Sequence, residues 1–341
     1  MSQTKWSYTK SNILRQCRRK FFFAYILKSW GRKNELRRKA YELAQMKNID
    51  MWQGAVVDKV MNESVIPAIA AKRKLDFELI AESAVGLAQM QFSYSEQKLY
   101  RQKATENEEE VERCILDIHE LEKEYDEEEI NEAYQKIERS ILNIPTILMP
   151  DGKTLLIDFL KASVPLIPNI MSWSFVVEGV TVKPQIDLVG YHSFKPYVID
   201  WKVSESLSSD YFRQLLVCGL AVYFKRLEKV ETEGKKAFAY SDIRLFKVNL
   251  LKAEVEEYLM TEEEVNEIID NINLTGGDIE YIESRTEWDT ADMESLTPAE
   301  NEASCAFCNY KSLCSYLYLN NHEYDETNYL QSIQDTQPTG A

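Results

Sequence analysis

The spacing of hydrophobic positions predicts helices over most of the first half of the chain. Residues 35–71 carry apolar side chains at helical intervals until Pro67 interrupts the pattern, and residues 76–142 continue the same spacing. Residues 144–168 hold four of the nine prolines, with a Pro-Asp-Gly turn signal at 150–152. We therefore expect two helical stretches that are followed by an irregular connector.

The pattern changes to short β-rich runs in the second half. These runs are Phe175–Val177, Ile186–Val189 and Tyr197–Trp201, with Gly179, Gly190 and Pro196 as the predicted separators. Residues 209–229 return to helical spacing, and 243–248 predicts a further strand. This order of elements is typical of an α/β domain with a helical insertion.

The C-terminal part of the sequence reads as helical up to a polar tail. Thr261 is followed three residues later by Glu264, which is the pattern of a capping box at the start of a helix. The residues after about 324 are mostly polar, and we expect them to be frayed.

Composition places the chain among ordinary globular proteins. Of 341 residues, 45% are hydrophobic and 28% are charged, and no apolar run approaches the roughly 20 residues that a membrane helix needs. Met1–Lys10 has no hydrophobic stretch typical of a secretion signal. We expect a cytoplasmic protein without a membrane partner, in which cysteines stay reduced and can bind metal.

Charge is distributed unevenly along the chain. The net charge is −16, yet Lys10–Lys39 contains eleven Lys and Arg residues and one acid, Glu35. A local basic patch can bind phosphates whatever the total charge, so this segment predicts a nucleic-acid contact, with a solvated basic helix face as the alternative. The acidic runs 106–112 and 120–129 are predicted to be solvated helix faces.

Two neighbouring predicted strands carry residues suited to phosphate chemistry. Asp187 lies in the first strand, and Asp200 and Lys202 flank Trp201 at the end of the next. Side chains alternate along a strand, so Asp200 and Lys202 share a face. Two carboxylates in apolar surroundings suit Mg²⁺ or Mn²⁺, and the lysine could orient a water or stabilise charge on a phosphate. A simple Asp–Lys ion pair is the alternative interpretation.

The run from Gly179 to Asp187, then Val198-Ile-Asp-Trp-Lys-Val-Ser204, then Gln214 resembles the core of the PD-(D/E)XK superfamily. The similar branch is the RecB-like nucleases, which includes the CRISPR-adaptation exonuclease and the AddB nuclease domain. The resemblance implies a restriction-endonuclease-like mixed sheet flanked by helices. It also implies that Asp187 and Asp200 bind metal, Lys202 is catalytic and Gln214 acts from the following helix.

Two positions depart from the pattern of that branch. The upstream Gly-x-x-x-His motif is matched by Gly54-Ala-Val-Val-Asp58, which places Asp58 where the metal-binding histidine is expected. Asp58 could still bind a hard cation, or it could be an exposed helix residue. Cys218 stands where a tyrosine normally follows the glutamine, so the positioning of DNA by this helix is less well supported than metal binding.

Three of the six cysteines are closely spaced. Cys305, Cys308 and Cys314 form a C-x2-C-x5-C pattern, and three thiolates need a fourth ligand for zinc or for an iron–sulfur cluster. The fourth ligand could be His322 or a distant cysteine. The segment around Cys17 is similar to the N-terminal cysteine segment of the RecB-like branch. This resemblance implies a 4Fe–4S cluster on Cys17, Cys305, Cys308 and Cys314, a staple that joins the N- and C-terminal segments.

The remaining cysteines and aromatic residues have structural interpretations. Cys114 and Cys218 lie in helical patterns and are predicted to be packing residues. Phe21–Phe23 follow the basic residues and could stack on bases, although a role in the core is the favoured interpretation.

The predicted organisation has five segments. They are a basic N-terminal segment with one cluster cysteine, a helical region, the nuclease core, a helical segment with the cysteine triad and a flexible tail: 1–36, 37–168, 169–260, 261–323 and 324–341.

The predicted function is metal-dependent hydrolysis of DNA, by exonuclease action on single-stranded or frayed ends. A helicase, recombination or CRISPR-adaptation protein is the expected partner. The alternative is a nuclease-derived DNA-binding scaffold without turnover.

Overall fold

A computed structural model of the protein describes residues 5–28, 33–101, 113–204, 211–289, 291 and 293–335. Helical elements occur on both sides of the strand-rich section: α1 (Tyr8–Gln16), α2 (Arg18–Phe21), a π-helical turn (Phe22–Leu27), α3 (Glu35–Gln45), α4 (Ile49–Val60), a second π-helical turn (Met61–Val65), α5 (Ile66–Ala70), α6 (Phe77–Glu96), α7 (Asp117–Glu120), α8 (Glu127–Asn143), α9 (Leu156–Lys161), α10 (Tyr211–Glu233), α11 (Glu262–Arg285), α12 (Glu302–Ala306), α13 (Lys311–Leu319) and α14 (Glu326–Asp335).

The strands are short apart from those of one central sheet. In chain order they are β1 (Lys5–Trp6), β2 (Met46–Lys47), β3 (Ile115–Leu116), β4 (Leu166–Ile170), β5 (Phe175–Val177), β6 (Val180–Val182), β7 (Ile186–His192), β8 (Lys195–Lys202), β9 (Arg244–Asn249) and β10 (Glu254–Leu259).

The chain forms two compact units, each built from three separate segments. Unit 1 contains residues Met1–Tyr8, Ile49–Ala88 and Glu127–Gly276. Unit 2 contains Thr9–Asn48, Gln89–Asp126 and Gly277–Ala341. The five sequence segments proposed above remain predictions.

Unit 1 is organised around a mixed five-stranded sheet in the order β10-β9-β8-β7-β4. Strand β8 pairs antiparallel with β7 and parallel with β9, and its residues Val198 and Ile199 are buried. Helix α10 lies against this sheet at Gly219, where an added Cβ would stand 2.9 Å from Leu245. The predicted mixed sheet with flanking helices is therefore present, and the strands expected at 175–177, 186–189, 197–201 and 243–248 are confirmed.

The hairpin between β7 and β8 turns at a different place from the one expected. Gly190 and Pro196 lie inside the strands, and the turn is at Ser193 and Phe194, which both have positive φ. Gly190 is needed for packing, because a Cβ there would stand 2.3 Å from the ring of Tyr197. Glycine and proline predict turns from sequence, whereas here the glycine makes room for a neighbouring ring.

The predicted connector at 144–168 is wrong in part. It contains α9, and β4 starts at Leu166 as an edge strand of the main sheet. Pro168 is tolerated in β4 because an edge strand has one side without ladder hydrogen bonds. The other edge strand, β10, was not predicted, and its alternating exposed glutamates explain the weak hydrophobic signal.

Helices are present in the region predicted to be helical, but the predicted interruption at Pro67 is wrong. The chain stays helical from α4 through the π-helical turn into α5, where Pro67 occupies the first turn. The π-helical turn that ends directly before Ile66 changes the hydrogen-bonding pattern where the proline lacks its N–H, and this local change lets the helix continue through Pro67. The capping box is confirmed, since the Thr261 N–H donates to Glu264 Oε2 at 3.1 Å and the Glu264 N–H donates to Thr261 Oγ1 at 3.3 Å.

Unit 2 has its own hydrophobic core, to which Phe22 and Phe23 belong. Phe21 is also fully buried, so these phenylalanines serve the core and do not offer faces for base stacking. Tyr329 of α14 is fully buried in the same core, so the frayed tail expected after residue 324 is wrong for residues 326–335. Residues 336–341 of that expected tail lie outside the described residues.

Several basic residues of the predicted patch have structural partners within unit 2. Lys39 is buried, and its Nζ lies 2.7 Å from Glu42 and 3.1 Å from Glu120. Lys10 Nζ lies 2.6 Å from Glu283. Glu120 is thus a buried exception in its acidic run, and the run 106–112 lies outside the described residues. Part of the basic segment therefore forms ion pairs within unit 2, and part of it faces solvent.

Across the residues that the structure describes, none of the helices combines the length and apolarity required to span a membrane.

Candidate active site and cysteine group

Strands β7 and β8 place two aspartates side by side in unit 1. Asp187 Oδ2 accepts a hydrogen bond of 2.9 Å from the backbone N–H of Trp201. Asp200 is buried, and its Oδ2 lies 2.5 Å from Lys202 Nζ. The strand alternation that predicted a shared face for Asp200 and Lys202 is therefore confirmed.

Burial makes this group of charges strongly interdependent. Desolvation, and then the charges of Asp200 and Asp58, raise the pKa of Asp187 to about 7. Burial also raises the pKa of Asp200, although Lys202 opposes that increase. Burial disfavours the charged form of Lys202, but the Asp200 carboxylate outweighs it and raises the lysine pKa. The site thus holds negative charge that lacks full compensation.

Asp58 joins the group from α4. Its Oδ1 accepts a hydrogen bond of 3.0 Å from Asn62, and its pKa is raised by burial and by the charge of Asp200. The expectation of a merely exposed helix residue is wrong, because Asp58 is partly buried and interacts with Asp200. A Cβ added to Gly54, the glycine of that motif, would meet no atom within 4 Å, so no close contact requires it.

Helix α10 carries Gln214 and Cys218 one turn apart. Gln214 is half-buried. Cys218 is buried, and its pKa is raised well above normal by burial and by the charges of Asp200 and Asp187. Residues four apart share a helix face, which puts Gln214 on the side of α10 that faces the carboxylates. Cys218 packs as predicted, and it does so beside the charged group.

Sequence reasoning missed two residues of this group. Tyr211 begins α10, and its ring centroid lies 4.7 Å from Lys202 Nζ and 5.3 Å from Lys247 Nζ. Lys247 is buried in β9, directly beside Asp200 in the strand register. A lysine between Phe246 and Val248, in the apolar middle of the strand, was the signal that could have identified it.

The three carboxylates are chemically suited to bind a divalent metal ion, but in this structure their side chains are not close enough together to coordinate one. In the part of the chain that the structure describes, no three His, Cys, Asp or Glu side chains stand close enough together to hold a metal ion. Asp58, Asp187 and Asp200 nevertheless offer the oxygen ligands that Mg²⁺ and Mn²⁺ prefer. The charge of Asp200 raises the pKa of both other carboxyls, and that of Asp58 raises the pKa of Asp187. A divalent cation would relieve that repulsion, so the donor set fits one.

The four candidate cluster cysteines all lie in unit 2 as free, half-buried thiols. Burial raises the pKa of Cys308, with contributions from Cys17 and Cys305, and burial likewise raises that of Cys314, with contributions from Cys17 and Cys308. They share one region, but the described residues contain no cysteine group arranged for metal, so the 4Fe–4S cluster stays a prediction. Cys114 is buried as predicted, although it precedes β3 and lies outside any helix.

Exposed basic residues accompany Cys17. Arg15 and Arg18 are exposed, and the Arg19 guanidinium lies 5.7 Å from the ring centroid of Tyr318. Cys17 Sγ accepts a hydrogen bond of 3.3 Å from the Lys20 N–H at the start of α2. The basic patch that remains available is thus smaller than the charge count of Lys10–Lys39 indicated.

The family model described as the PD-(D/E)XK nuclease superfamily matches residues 5–315. A search of curated proteins found no match.

Proposed function

Because the chain belongs to the PD-(D/E)XK nuclease superfamily, we propose that it is a Mg²⁺- or Mn²⁺-dependent deoxyribonuclease. The supporting observation is the group of Asp58, Asp187, Asp200 and Lys202 in unit 1, with three mutually repelling carboxylates and one lysine. We further propose that the enzyme acts on single-stranded or frayed DNA ends, as an exonuclease of the RecB-like type.

Each residue has a distinct role in this proposal. Asp58, Asp187 and Asp200 would hold the divalent cation, which supplies charge neutralisation at the phosphate and acidifies the attacking water. The ammonium of Lys202 would orient that water and stabilise the charge that develops on the phosphate oxygens. Gln214 would position the scissile strand from the first turn of α10.

Lys202 must change partners during this reaction. Its ammonium lies 2.5 Å from Asp200 Oδ2 in the structure, so one ion pair occupies both the carboxylate oxygen and the lysine. Substrate binding would draw Lys202 towards the phosphate and leave the carboxylate for the metal. In the chemical step the water oxygen would bond to phosphorus and give up a proton to solvent, while the P–O bond to the leaving group breaks and the leaving oxygen takes up a proton.

The first experiment compares cleavage of end-labelled single-stranded DNA with Mg²⁺, with Mn²⁺ and with EDTA. We expect metal-dependent cleavage by the wild type, loss of cleavage in Asp200→Ala, and normal cleavage in Asp270→Ala, which removes an exposed carboxylate of α11. Product lengths would define the direction of digestion. Cleavage that persists in Asp200→Ala would contradict the proposed site.

A nuclease-derived binding module is the second candidate. It is favoured by the departures at Asp58 and Cys218, of which Cys218 is buried beside the carboxylates where a tyrosine is expected. DNA binding by a wild-type protein that never cleaves, and that binds equally well as Asp200→Ala, would support this module over the enzyme.

We also propose that Cys17, Cys305, Cys308 and Cys314 hold a 4Fe–4S cluster with a structural role. The support is their shared location in unit 2 and the mutual effect of their charges. Iron and sulfide would be measured on anaerobically purified protein. We expect Cys17→Ser to lose both and Cys114→Ser, which changes a buried cysteine outside this group, to keep them. Iron-free wild-type protein would contradict the cluster.

A helicase, recombination or CRISPR-adaptation protein is our proposed partner class, on the basis of the resemblance to the RecB-like branch. Co-purification with such a protein from the native cell is the corresponding test.

A further inference from the structure

A row of charged residues crosses the main sheet beside the proposed active site. In the strand register, Asp200 of β8 is paired with Lys247 of β9, and Lys247 is paired with Glu256 of β10. Registered neighbours project from the same face of a sheet. Acid, base and acid therefore alternate across three strands, starting at a proposed metal ligand.

Lys247 is held firmly in this row. Its Nζ lies 2.6 Å from Glu256 Oε1, and Glu256 Oε2 accepts a hydrogen bond of 2.5 Å from the Tyr258 hydroxyl. The Lys247 side chain is only 8% exposed, whereas that of Glu256 is 44% exposed. The buried ammonium is thus anchored from the solvent side, and its other neighbours are Asp200 and the Tyr211 ring.

Stability alone does not account for a lysine at this position. The neighbouring β9 residues Leu245, Phe246 and Val248 are fully buried and apolar. Replacing both members of a buried ion pair with apolar residues is often neutral or stabilising, so a lysine is needed at 247 only because of the carboxylates beside it, Asp200 and Glu256. The distinctive property of Lys247 is a fixed positive charge one strand away from Asp200.

We propose that Lys247 is a positioning residue, a permanent counter-charge for Asp200 that lets Lys202 leave its ion pair and reach the phosphate. This inference rests on the proposed nuclease function. Without Lys247, Asp200 would have Lys202 as its main compensating charge and would hold it more tightly. With Lys247 anchored by Glu256, part of that compensation stays in place when Lys202 moves. Lys247 also lowers the pKa of Asp200, in keeping with this electrostatic contact.

The inference predicts an unusual combination of effects for Lys247→Met. Loss of the positive charge strengthens the attraction of the Asp200 carboxylate both for Lys202 at Oδ2 and for a divalent cation at its other oxygen, so that the two gains do not exclude each other. Mn²⁺ should therefore bind about threefold to tenfold more tightly. The kcat for DNA cleavage should fall roughly tenfold, because Lys202 is retained on Asp200. The KM for DNA should change little, since the buried ammonium of Lys247 does not contact the DNA strand.

The experiment measures Mn²⁺ affinity by titration calorimetry at pH 8, together with kcat and KM on single-stranded DNA. A Lys247→Met/Glu256→Gln double variant should keep most of the gain in Mn²⁺ affinity, because the charge of the 44% exposed Glu256 is screened by solvent. Loss of the whole gain would mean that the freed Glu256 is the new ligand and would overturn the inference. Lys247→Arg should retain most of the kcat. Arg244→Met is the matched control, because Arg244 forms an ion pair with Glu257 between the same two strands from the opposite face.

Unchanged kcat in Lys247→Met would overturn the inference. So would a lower kcat accompanied by weaker Mn²⁺ binding and a lower melting temperature, which indicates a purely structural residue. If the wild type cleaves no DNA, the proposed function fails, and calorimetry still decides about Lys247. Tighter Mn²⁺ binding then supports the counter-charge, and equal or weaker binding overturns it.

Discussion

Replacement of Asp187 by asparagine should stabilise the metal-free protein at neutral and alkaline pH. Asp187 is buried beside two other carboxylates, and its pKa is raised from an ordinary 3.8 to about 7. Asparagine has nearly the same shape, and its Oδ1 can still accept the hydrogen bond that Trp201 N–H donates to the aspartate at 2.9 Å. The substitution therefore removes the charge while retaining the local geometry.

The size of the effect follows from the proton affinity. A factor of ten in proton affinity corresponds to 1.36 kcal/mol, so the change from 3.8 to about 7 amounts to about 4 kcal/mol. The folded protein binds this proton more tightly than the unfolded chain does. Its contribution to the free energy of unfolding is thus retained below pH 3.8 and is lost as the pH rises through about 7. At pH 8 the wild type carries nearly the whole penalty, which Asp187→Asn avoids.

Urea unfolding followed by circular dichroism, with EDTA present, measures this directly. Between pH 5 and pH 8 the wild type should lose more stability than Asp187→Asn, and at pH 8 the variant should be the more stable protein by up to about 4 kcal/mol. Added Mn²⁺ should stabilise the wild type, because a ligand that binds only the folded state raises its stability. It should have little effect on the variant.

Asp151→Asn provides a control of opposite sign within unit 1. Hydrogen bonds from the Thr154 side chain and backbone and from the Lys153 backbone lower the pKa of Asp151 to about 2. Its removal should therefore destabilise the protein slightly at neutral pH. An Asp187→Asn protein that is less stable than the wild type at pH 8 in EDTA would refute the interpretation that the buried charge of Asp187 destabilises the metal-free protein.

Two further predictions concern packing, and urea unfolding measures both. Tyr329→Ala should destabilise unit 2 by about 3–5 kcal/mol, because Tyr329 is fully buried in its core. Leu319→Ala changes a residue that is 78% exposed and should be nearly neutral. Equal effects of the two substitutions would mean that α14 does not pack against the core. Gly190→Ala should cost about 1–3 kcal/mol, because its Cβ would stand 2.3 Å from the Tyr197 ring, whereas Gly54→Ala should be neutral or stabilising, since nothing lies within 4 Å. A neutral Gly190→Ala would show that the Tyr197 ring moves aside.

Local periodicity predicted the interior strands and long helices because their burial is uniform along each element. Strands β7, β8 and β9 are largely apolar, and α8 places Ile130, Ala133, Ile137 and Ile141 on one buried face. The edge strands were missed for the opposite reason. Strand β10 has one partner and exposes its glutamates, so its sequence has little of the apolar content that marks an interior strand.

Local sequence pattern alone predicted the candidate site only where its residues are close in sequence. Asp200 and Lys202 are two positions apart on β8, so alternation alone places them together. Asp58 required the family resemblance, because α4 is distant in sequence from the sheet. Lys247 was missed since its pairing with Asp200 depends on the parallel register of β8 and β9, which no local pattern encodes.

The same limit applies to the C-terminal helix. Residues 326–335 are mostly polar, and their composition favours a frayed tail. Tyr329 and Ile333 are sufficient to dock the helix because the core of unit 2 has a place for them. A few buried side chains outweighed the average polarity of the segment.

The discontinuity of the two units has a consequence for how the protein reaches its native state. Strand β1 pairs with β6, and Trp6 Nε1 donates a hydrogen bond of 2.8 Å to Thr275 Oγ1, across 269 residues of sequence. In unit 2, the Lys10–Glu283 ion pair spans 273 residues. Contacts of such separation form only after long loops have closed, which slows folding. Each unit therefore completes its fold only after distant parts of the chain are available, and during synthesis Trp6 and Lys10 cannot form these contacts before Thr275 and Glu283 have emerged.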